Sequence, residues 1–391
     1  MHTSKLSMPS TAFAYVLSGG LALLLALGAA AAPIPIGTIV DLQKIGNDDA
    51  FPLDGEYVLT NDIDASDTVH WNEGAGFAPI GDDTSPFTGI FDGQGRVISD
   101  LHIHRPGENH VGLFGAVGGL GEVKHVGLEG GSVTGIDWTG GLVGKNEGSV
   151  LQSYTTGAVD GIHFVGGLVG ENVGGKVTQC YATGAVEGMG WTGGLVGRNE
   201  GDVTDSHATG EVAGQIIAGG LIGEHLGGTV THSYATGTVT GEAGLGGLTG
   251  ANHGEVAYSY ATGGVTGENA VGGLAGSNLG DVVYSYATGS VAGDLAVGGL
   301  AGHNREGTAT HSYATGSVEG LNRVGGLVGW NEGEVAQNFA TGKVSGTDSV
   351  GGLVGQNEGE VTQSYATGNV QGSSRAGGLV GMGLEHTAID S

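Results

Sequence analysis

Cysteine is almost missing from this chain. Of 391 residues only Cys180 carries a thiol, so no internal disulfide can form. Basic residues are also scarce, with 12 Lys and Arg against 40 Asp and Glu and a formal net charge of −28. Such a surface repels nucleic acid and anionic membranes, because both need Lys or Arg to displace counterions. Beyond the first thirty-odd residues no long apolar run follows, so no transmembrane segment is expected in the mature chain. Stability must then come from packing and backbone pairing alone. Glycine is what the chain has in excess, with 85 residues against a usual share of ~7%. These glycines keep no Gly-X-Y period, which excludes collagen. The apolar content of 39% excludes a wholly disordered chain.

The N-terminus reads as an export signal. Lys5 supplies a positive charge, Leu17 to Leu27 contains an apolar run, and Ala29–Ala32 offers small residues before Pro33. That order predicts a signal peptide over residues 1–31, and the run is shorter than the ~20 residues that span a bilayer. The chain is therefore expected to be secreted or held at the cell surface.

From Gly140 onward the sequence repeats itself. Gly-Gly-Leu starts at Gly140, Gly166, Gly193, Gly219, Gly246, Gly272, Gly298, Gly325, Gly351 and Gly377, in steps of 26 or 27. A fixed period of this length marks a solenoid, in which one small unit stacks on the next. The extra residues all fall around an Asn-x-Gly element such as Asn357-Glu358-Gly359, which is turn chemistry. A helix cannot tolerate five glycines per unit, each costing ~1 kcal/mol against Ala. Short Val-rich runs between glycine turns fit strands instead. The expected fold is all-β: a parallel β-helix of about ten ~26-residue coils spaced ~4.8 Å apart. Residues 32–110 are expected to form an N-terminal β cap, 111–381 the repeats and 382–391 a C-terminal tail.

Comparing copies assigns directions. Val203, Val256, Val282, Val335 and Val361 share one slot, and Val291, Val318, Val344 and Val370 another; both should point inward. The slot of Ser259, Ser285, Ser312 and Ser364 holds Cys180 once and Asn338 once, as suits a small interior position. Strand alternation then sends a tyrosine column and a threonine column outward. The tyrosines are Tyr154, Tyr181, Tyr234, Tyr260, Tyr286, Tyr313 and Tyr365, with His207 and Phe339 as replacements. The threonines are Thr183, Thr236, Thr262, Thr288, Thr315 and Thr367. Stacking of neighbouring coils explains such aromatics without any ligand, and a bulge would turn them inward. An amphipathic ladder also suits a carbohydrate or a host or cell-surface protein. Asn146, Asn172, Asn199, Asn252, Asn278, Asn304, Asn331 and Asn357 form a further column, whose amides can bond from coil to coil. Acids beside it, such as Glu147, Glu200 and Glu358, read as a solvated edge rather than a calcium site.

The resemblance these elements carry is to the GLUG-motif family of bacterial exported proteins. Gly352-Leu353-Val354-Gly355 and its copies match the motif, followed by elements such as Ser364-Tyr365-Ala366-Thr367-Gly368. The leader at Asn61–Asp64, Pro79–Gly81 and Phe87–Gly95 resembles those that precede such repeats. The resemblance implies a β-solenoid on secreted or surface proteins, including adhesin-like chains and the non-catalytic regions of zinc peptidases that cleave immunoglobulin A. It implies no chemistry by itself.

No catalytic set stands out. His-Glu-x-x-His, Gly-x-Ser-x-Gly and a phosphate-binding loop are absent from the sequence. His102 and His104 share a strand face without an evident third ligand. Asp62, Asp64 and Asp67 make a weak calcium candidate. No cofactor is otherwise expected. The expected function is a non-catalytic structural or adhesive surface module that uses the Tyr/Thr face. The alternatives are a polysaccharide-acting β-helix enzyme, with His70, Asp82, Asp83, His102, His104 and Arg105 as its only candidate cluster, and an ice-binding solenoid built on the threonine column. The repeats stop short of a last Ser-Tyr-Ala-Thr-Gly half, so the expectation is that a partner or end-to-end self-association covers the final coil, or that the chain is a shortened relative of longer surface proteins.

Overall fold

A computed structural model describes residues 32–383 and 389–390. The signal-peptide reading over residues 1–31 lies outside the described residues, as does most of the tail. From Pro33 onward the chain forms one compact unit. It winds as an all-β parallel solenoid of about 13 turns. Strands from successive turns pair into three sheets, of 24, 17 and 11 strands, here called A, B and C. Each repeat passes through C, A and B in that order. Val196–Asn199 lies in C, Asp202–Thr204 and His207–Ala208 lie in A, and Val212–Gly219 lies in B.

The pairing register is that of the repeat. Tyr234 lies beside Tyr260, Val239 beside Val265 and Asn278 beside Asn304. The turn count exceeds the ten expected because the non-repeating leader is itself wound into the stack. Ile34–Ile36 pairs with Glu56–Leu59, which pairs with Ile90–Ser99, which pairs with Glu122–Glu129, all parallel and all in sheet A. Its coils hide in the sequence because they differ in length and carry no Gly-Gly-Leu in the register of the later repeats. The first of them also carries a short helix, Ile39–Lys44, whose Thr38 Oγ1 accepts from the Asp41 amide at 3.1 Å. Ile39 and Leu42 of that helix are buried in the core.

Both valine slots are buried, but in different compartments. Val203, Val256, Val282, Val335 and Val361 join the leucines in the main core. Val291, Val318 and Val344 pack instead with Val297, Val324 and Val350 in a second, smaller core inside sheet B. Glycine explains the narrow waist between them. A Cβ on Gly167 would fall onto the Gly194 carbonyl and 2.9 Å from Ala182 Cβ, and one on Gly170 would sit 2.6 Å from the Gly144 carbonyl oxygen. Neither glycine has a positive φ. The motif therefore repeats because adjacent coils approach too closely for any side chain, not because the backbone needs a special conformation.

The corners do need one. Each repeat places two residues in the left-handed region, and most are not glycine: Gln179, Asp205, His232 and Tyr258 in sheet A, and Phe164, Trp191 and Arg323 in sheet B. A non-Gly residue at positive φ is uncommon. Here it recurs because each corner is clamped by the coils above and below, which override local preference.

Candidate functional site

The left-handed corner in sheet A determines what the tyrosine face looks like. It interrupts the strand between Lys176–Thr178 and Tyr181–Ala182, so the sequence Gln179-Cys180-Tyr181 turns rather than runs straight. The next residue, Ser or Cys, points inward and is buried throughout. Its amide donates instead to the side-chain oxygen of the same slot in the next coil, a serine hydroxyl or, for Ser312, Asn338 Oδ1 at 2.7 Å. Ser206 N donates to Ser233 Oγ at 3.2 Å, Ser233 N to Ser259 Oγ at 3.2 Å and Ser259 N to Ser285 Oγ at 3.1 Å. Each hydroxyl in turn donates to the carbonyl two residues back, as Ser285 Oγ does to Val283 O at 2.9 Å. Cys180 Sγ makes the same contact with Thr178 O at 3.3 Å, and burial pushes its thiol pKa up to about 12.

Beyond the serine the tyrosines point outward. Their rings stack nearly parallel: Tyr154 on Tyr181 at 4.6 Å, Tyr234 on Tyr260 at 4.9 Å, Tyr260 on Tyr286 at 4.9 Å and Tyr286 on Tyr313 at 4.9 Å. His207 and Phe339 continue the same column, and Phe339 stacks on Tyr365 at 5.5 Å. Interplanar angles from Tyr234 to Phe339 are 2–4°. Each ring face within the column is therefore covered by the next ring, and solvent meets ring edges and hydroxyls. The column is half-buried, whereas Tyr365 is 55% exposed. Tyr154 Oη donates to Glu129 Oε1 at 2.7 Å; burial first and that acceptor second push its pKa up. Thr183, Thr236, Thr262, Thr288, Thr315 and Thr367 are exposed alongside.

A second file of rings stands beside the first. His232, Tyr258, Tyr284 and His311 occupy the sheet A corner in four successive coils, with centroids 5.4, 5.1 and 4.7 Å apart. In other coils this corner holds Gln152, Gln179, Asp205, Gln337 or Gln363. The aromatic members His232, Tyr258, Tyr284 and His311 are consecutive. Another stack, which sequence reasoning does not pick out, runs along the sheet B corners through His110, Trp138, Phe164 and Trp191 at 4.8, 5.6 and 4.9 Å. Arg198 lies 5.6 Å from the centroid of Phe164.

The asparagine column is buried and bonded along the rod. Asn146 Nδ2 donates to Asn172 Oδ1 at 2.7 Å, and Asn172 to Asn199 at 2.7 Å. Asn252 donates to Asn278, Asn278 to Asn304, Asn304 to Asn331 and Asn331 to Asn357, all within 2.7–2.9 Å. One coil breaks the ladder with His225. Its Nδ1 lies 3.0 Å from Asn199 Nδ2, while His225 Nε2 and Asn252 Oδ1 have no partner. The acids flanking the ladder are partly neutralised. Arg198 bridges Glu171 at 2.8 Å and Glu200 at 3.0 Å, and Lys145 bridges Asp83 at 2.6 Å and Glu147 at 3.0 Å.

The remaining candidates are dispersed. Asp62 Oδ1 accepts from Val97 N at 3.1 Å, Asp64 Oδ1 from Ser66 N at 2.9 Å, and Asp67 lies in the first turn of the 3-10 stretch Ser66–Gly74. Among the described residues no group of three or more His, Cys, Asp or Glu is disposed to hold a metal ion. His102 Nδ1 lies 3.2 Å from Ser132 Oγ, and its ring is 6.2 Å from that of His104. Asp82 and Arg105 share a cleft of about 450 Å³ near the first coils. There Asp82 Oδ1 accepts from the Thr84 and Ser85 amides at 2.8 Å, and Arg105 bonds Phe77 O and Glu108. Asp83 is drawn away to Lys145, and His70 lies in the 3-10 stretch.

Comparison with known proteins agrees with the repeat. A 135-residue segment, 33% of this chain, is 42% identical to halomucin of the archaeon Haloquadratum walsbyi but spans 2% of that protein. A 94-residue segment is 38% identical to a Gly-rich membrane protein of Evansella cellulosilytica, covering 24% of this chain and 10% of the relative. The chain thus matches small parts of much longer proteins, and the archaeal relative removes a purely bacterial setting as a premise. Among solved structures, an immunoglobulin A1 protease from Bacteroides ovatus superposes with a TM-score of 0.49 at 21% identity, over 60% of this chain and 76% of that one. A second chain named IgA1 protease gives 0.43 at 15% identity, over 80% and 21%. The GLUG motif itself matches residues 165–187, 192–213, 214–240, 293–319 and 346–371. These five segments, in phase with the coils, make the chain a GLUG-motif repeat protein.

Proposed function

We propose that this chain is a non-catalytic rod displayed at the cell surface, which meets a carbohydrate or a protein through the outward face of sheet A. The observation that carries the reading is that face itself: exposed threonines beside a stacked tyrosine column, repeated at one strand spacing. Two hydroxyl files at a fixed repeat give many equivalent contacts at little entropic cost, since stacking already holds the rings. Surface display is supported by the export signal read in residues 1–31 and by a relative named as a membrane protein. The non-catalytic reading is supported by the dispersal of the candidate acids, bases and histidines among structural contacts.

The test is binding of the purified chain to immobilised polysaccharides and matrix proteins, with a variant whose Thr236, Thr262, Thr288 and Thr315 are all lysine. These side chains are exposed, but the four lysines stand one strand spacing apart and repel, so the comparison is made at a temperature where circular dichroism shows both proteins folded. Binding by the parent and at least tenfold weaker binding by the variant is the expected result. Equal binding overturns the assignment of the face, and release of reducing ends from a bound polysaccharide overturns the non-catalytic reading.

A further inference from the structure

The tyrosine column runs nearly the length of the repeats, but the second file does not. Among the described residues it is in the four coils from His232 to His311 that two rings stand side by side in each coil: His232 with Tyr234, Tyr258 with Tyr260, Tyr284 with Tyr286 and His311 with Tyr313; His125 takes the same corner in an earlier coil, but there Gly127 stands at the column position. Stacking does not explain the second file as it explains the first. Tyr258 and Tyr284 remain 55% and 48% exposed, among the largest exposures of apolar residues in the protein. The same corner is filled by glutamine at Gln179 and Gln337 with the same backbone conformation, so the aromatics there are not required by the fold.

We infer that these four coils form a discrete binding patch for a neutral polysaccharide chain lying along the rod. The inference rests on the reading of sheet A as the contact face and narrows it to one place and one ligand class. Ring planes are within 8° for the pairs His232–Tyr258 and Tyr258–Tyr284, so their faces are covered and the patch offers edges and hydroxyls. Ring edges carry the positive part of the aromatic quadrupole and suit oxygen-rich ligands, while phenolic hydroxyls both donate and accept. Neither file contains a carboxylate, Lys or Arg in these four coils, but Glu255 and Asp281, register partners on adjacent strands, flank them in sheet A, and the chain carries −28 overall. Polyanions are repelled, and the flanking slot holds Thr229 and Thr308 in the other two coils, so a polycation finds no contact that repeats along the whole patch. A ligand that repeats axially, with a monomer of the order of the ~4.8 Å strand spacing, meets the same contacts at every coil and gains from all four at once. The surface of a globular protein does not repeat in this way.

The decisive variant is Tyr258→Gln combined with Tyr284→Gln, which gives these corners the residue other coils already use. The probes are insoluble neutral glucan, mannan and chitin, tested with the full chain, this double variant and the four-lysine threonine variant. Retention of the parent on at least one probe, weakened tenfold or more in the double glutamine variant at an unchanged melting temperature, is the expected result. Equal retention of the glutamine variant with loss in the threonine variant overturns the patch and leaves the contact face standing. A parent that ignores every neutral glycan but binds a matrix protein through the threonines overturns the ligand class alone. Retention on nothing overturns both.

Discussion

The break in the asparagine ladder makes a quantitative prediction. His225 is fully buried, and burial holds its pKa down at about 4; His253 and Asp202 act weakly and in opposite senses. In the unfolded chain the same imidazole titrates near ~6.5. The folded state therefore binds fewer protons than the unfolded state between these values, and stability falls as pH falls through that window. It is complete above about pH 6.5, reduced by about 2 kcal/mol at pH 5 and by about 3 kcal/mol at pH 4, and levels off below. His225→Asn removes this term. It also keeps an acceptor for Asn199, which His225 Nδ1 supplies at present, and adds a donor to Asn252, whose Oδ1 has no partner in the present structure. The added bond contributes about 1 kcal/mol at neutral pH. Urea unfolding followed by circular dichroism, parent against variant from pH 7.5 to 4, gives the comparison. Other depressed histidines, His110, His207 and His303, are common to both proteins and cancel. The variant is expected to be the more stable at pH 7, with the gap widening by about 3 kcal/mol on acidification. Parallel stability curves would refute the assignment of a neutral buried imidazole to the ladder.

Two further substitutions probe the packing. Asn278→Ala leaves Asn252 Nδ2 with Asp281 O at 3.3 Å alone and Asn304 Oδ1 without its donor, both in fully buried side chains. A loss of about 2–5 kcal/mol in urea unfolding is expected, and a loss under 0.5 kcal/mol would show that the ladder is incidental. Gly194→Ala drives a Cβ onto the Gly220 carbonyl and to 2.9 Å from Ala208 Cβ, whereas Gly264→Ala meets nothing nearer than Ser290 Oγ at 3.5 Å. The first is expected to lower stability by about 1–3 kcal/mol or to prevent folding. The second should lie within about 0.5 kcal/mol of the parent, measured by thermal melting of both.

Much of this architecture is legible in the sequence because each coil is an independent copy of the same measurement. Val203, Val256 and Val361 agree on one slot, Asn278, Asn304 and Asn331 on another, and the replacement of serine by Cys180 marks an interior position from chemistry alone. What resists reading is whatever depends on contacts between coils. Nothing local in Phe164, Trp191 or Arg323 announces a left-handed backbone; the clamp of the two neighbouring coils imposes it. The same corner splits sheet A ahead of each tyrosine, so alternation gives the right direction for Tyr260 by way of a strand that is in fact bent. The second valine core is hidden for a related reason. Val291 and Val297 look alike in pattern to any interior valine, and only the glycine waist separates them from the leucines. The leader is legible as short strands that start the stack, but the number of its coils is not, because Ile34, Glu56, Ile90 and Glu122 begin strands of one sheet at unequal spacing, which leaves no period to detect.

In a stack of this kind, departures from the repeat differ in what they cost. A residue in a column touches its equivalents above and below, so a single change alters contacts on both sides. His225 is such a change: its Nδ1 still meets Asn199, but its own Nε2 and Asn252 Oδ1 in the next coil are left unpartnered. A run of equivalent changes in consecutive coils behaves differently, because each new residue restores a match for the next. His232, Tyr258, Tyr284 and His311 are of this second kind. They stack on one another, fit the same corner conformation as the glutamines elsewhere and leave their edges in solvent. Such a run adds an exposed aromatic surface without disturbing the core, which is how a uniform rod can acquire one local site while the rest of its length serves as a spacer.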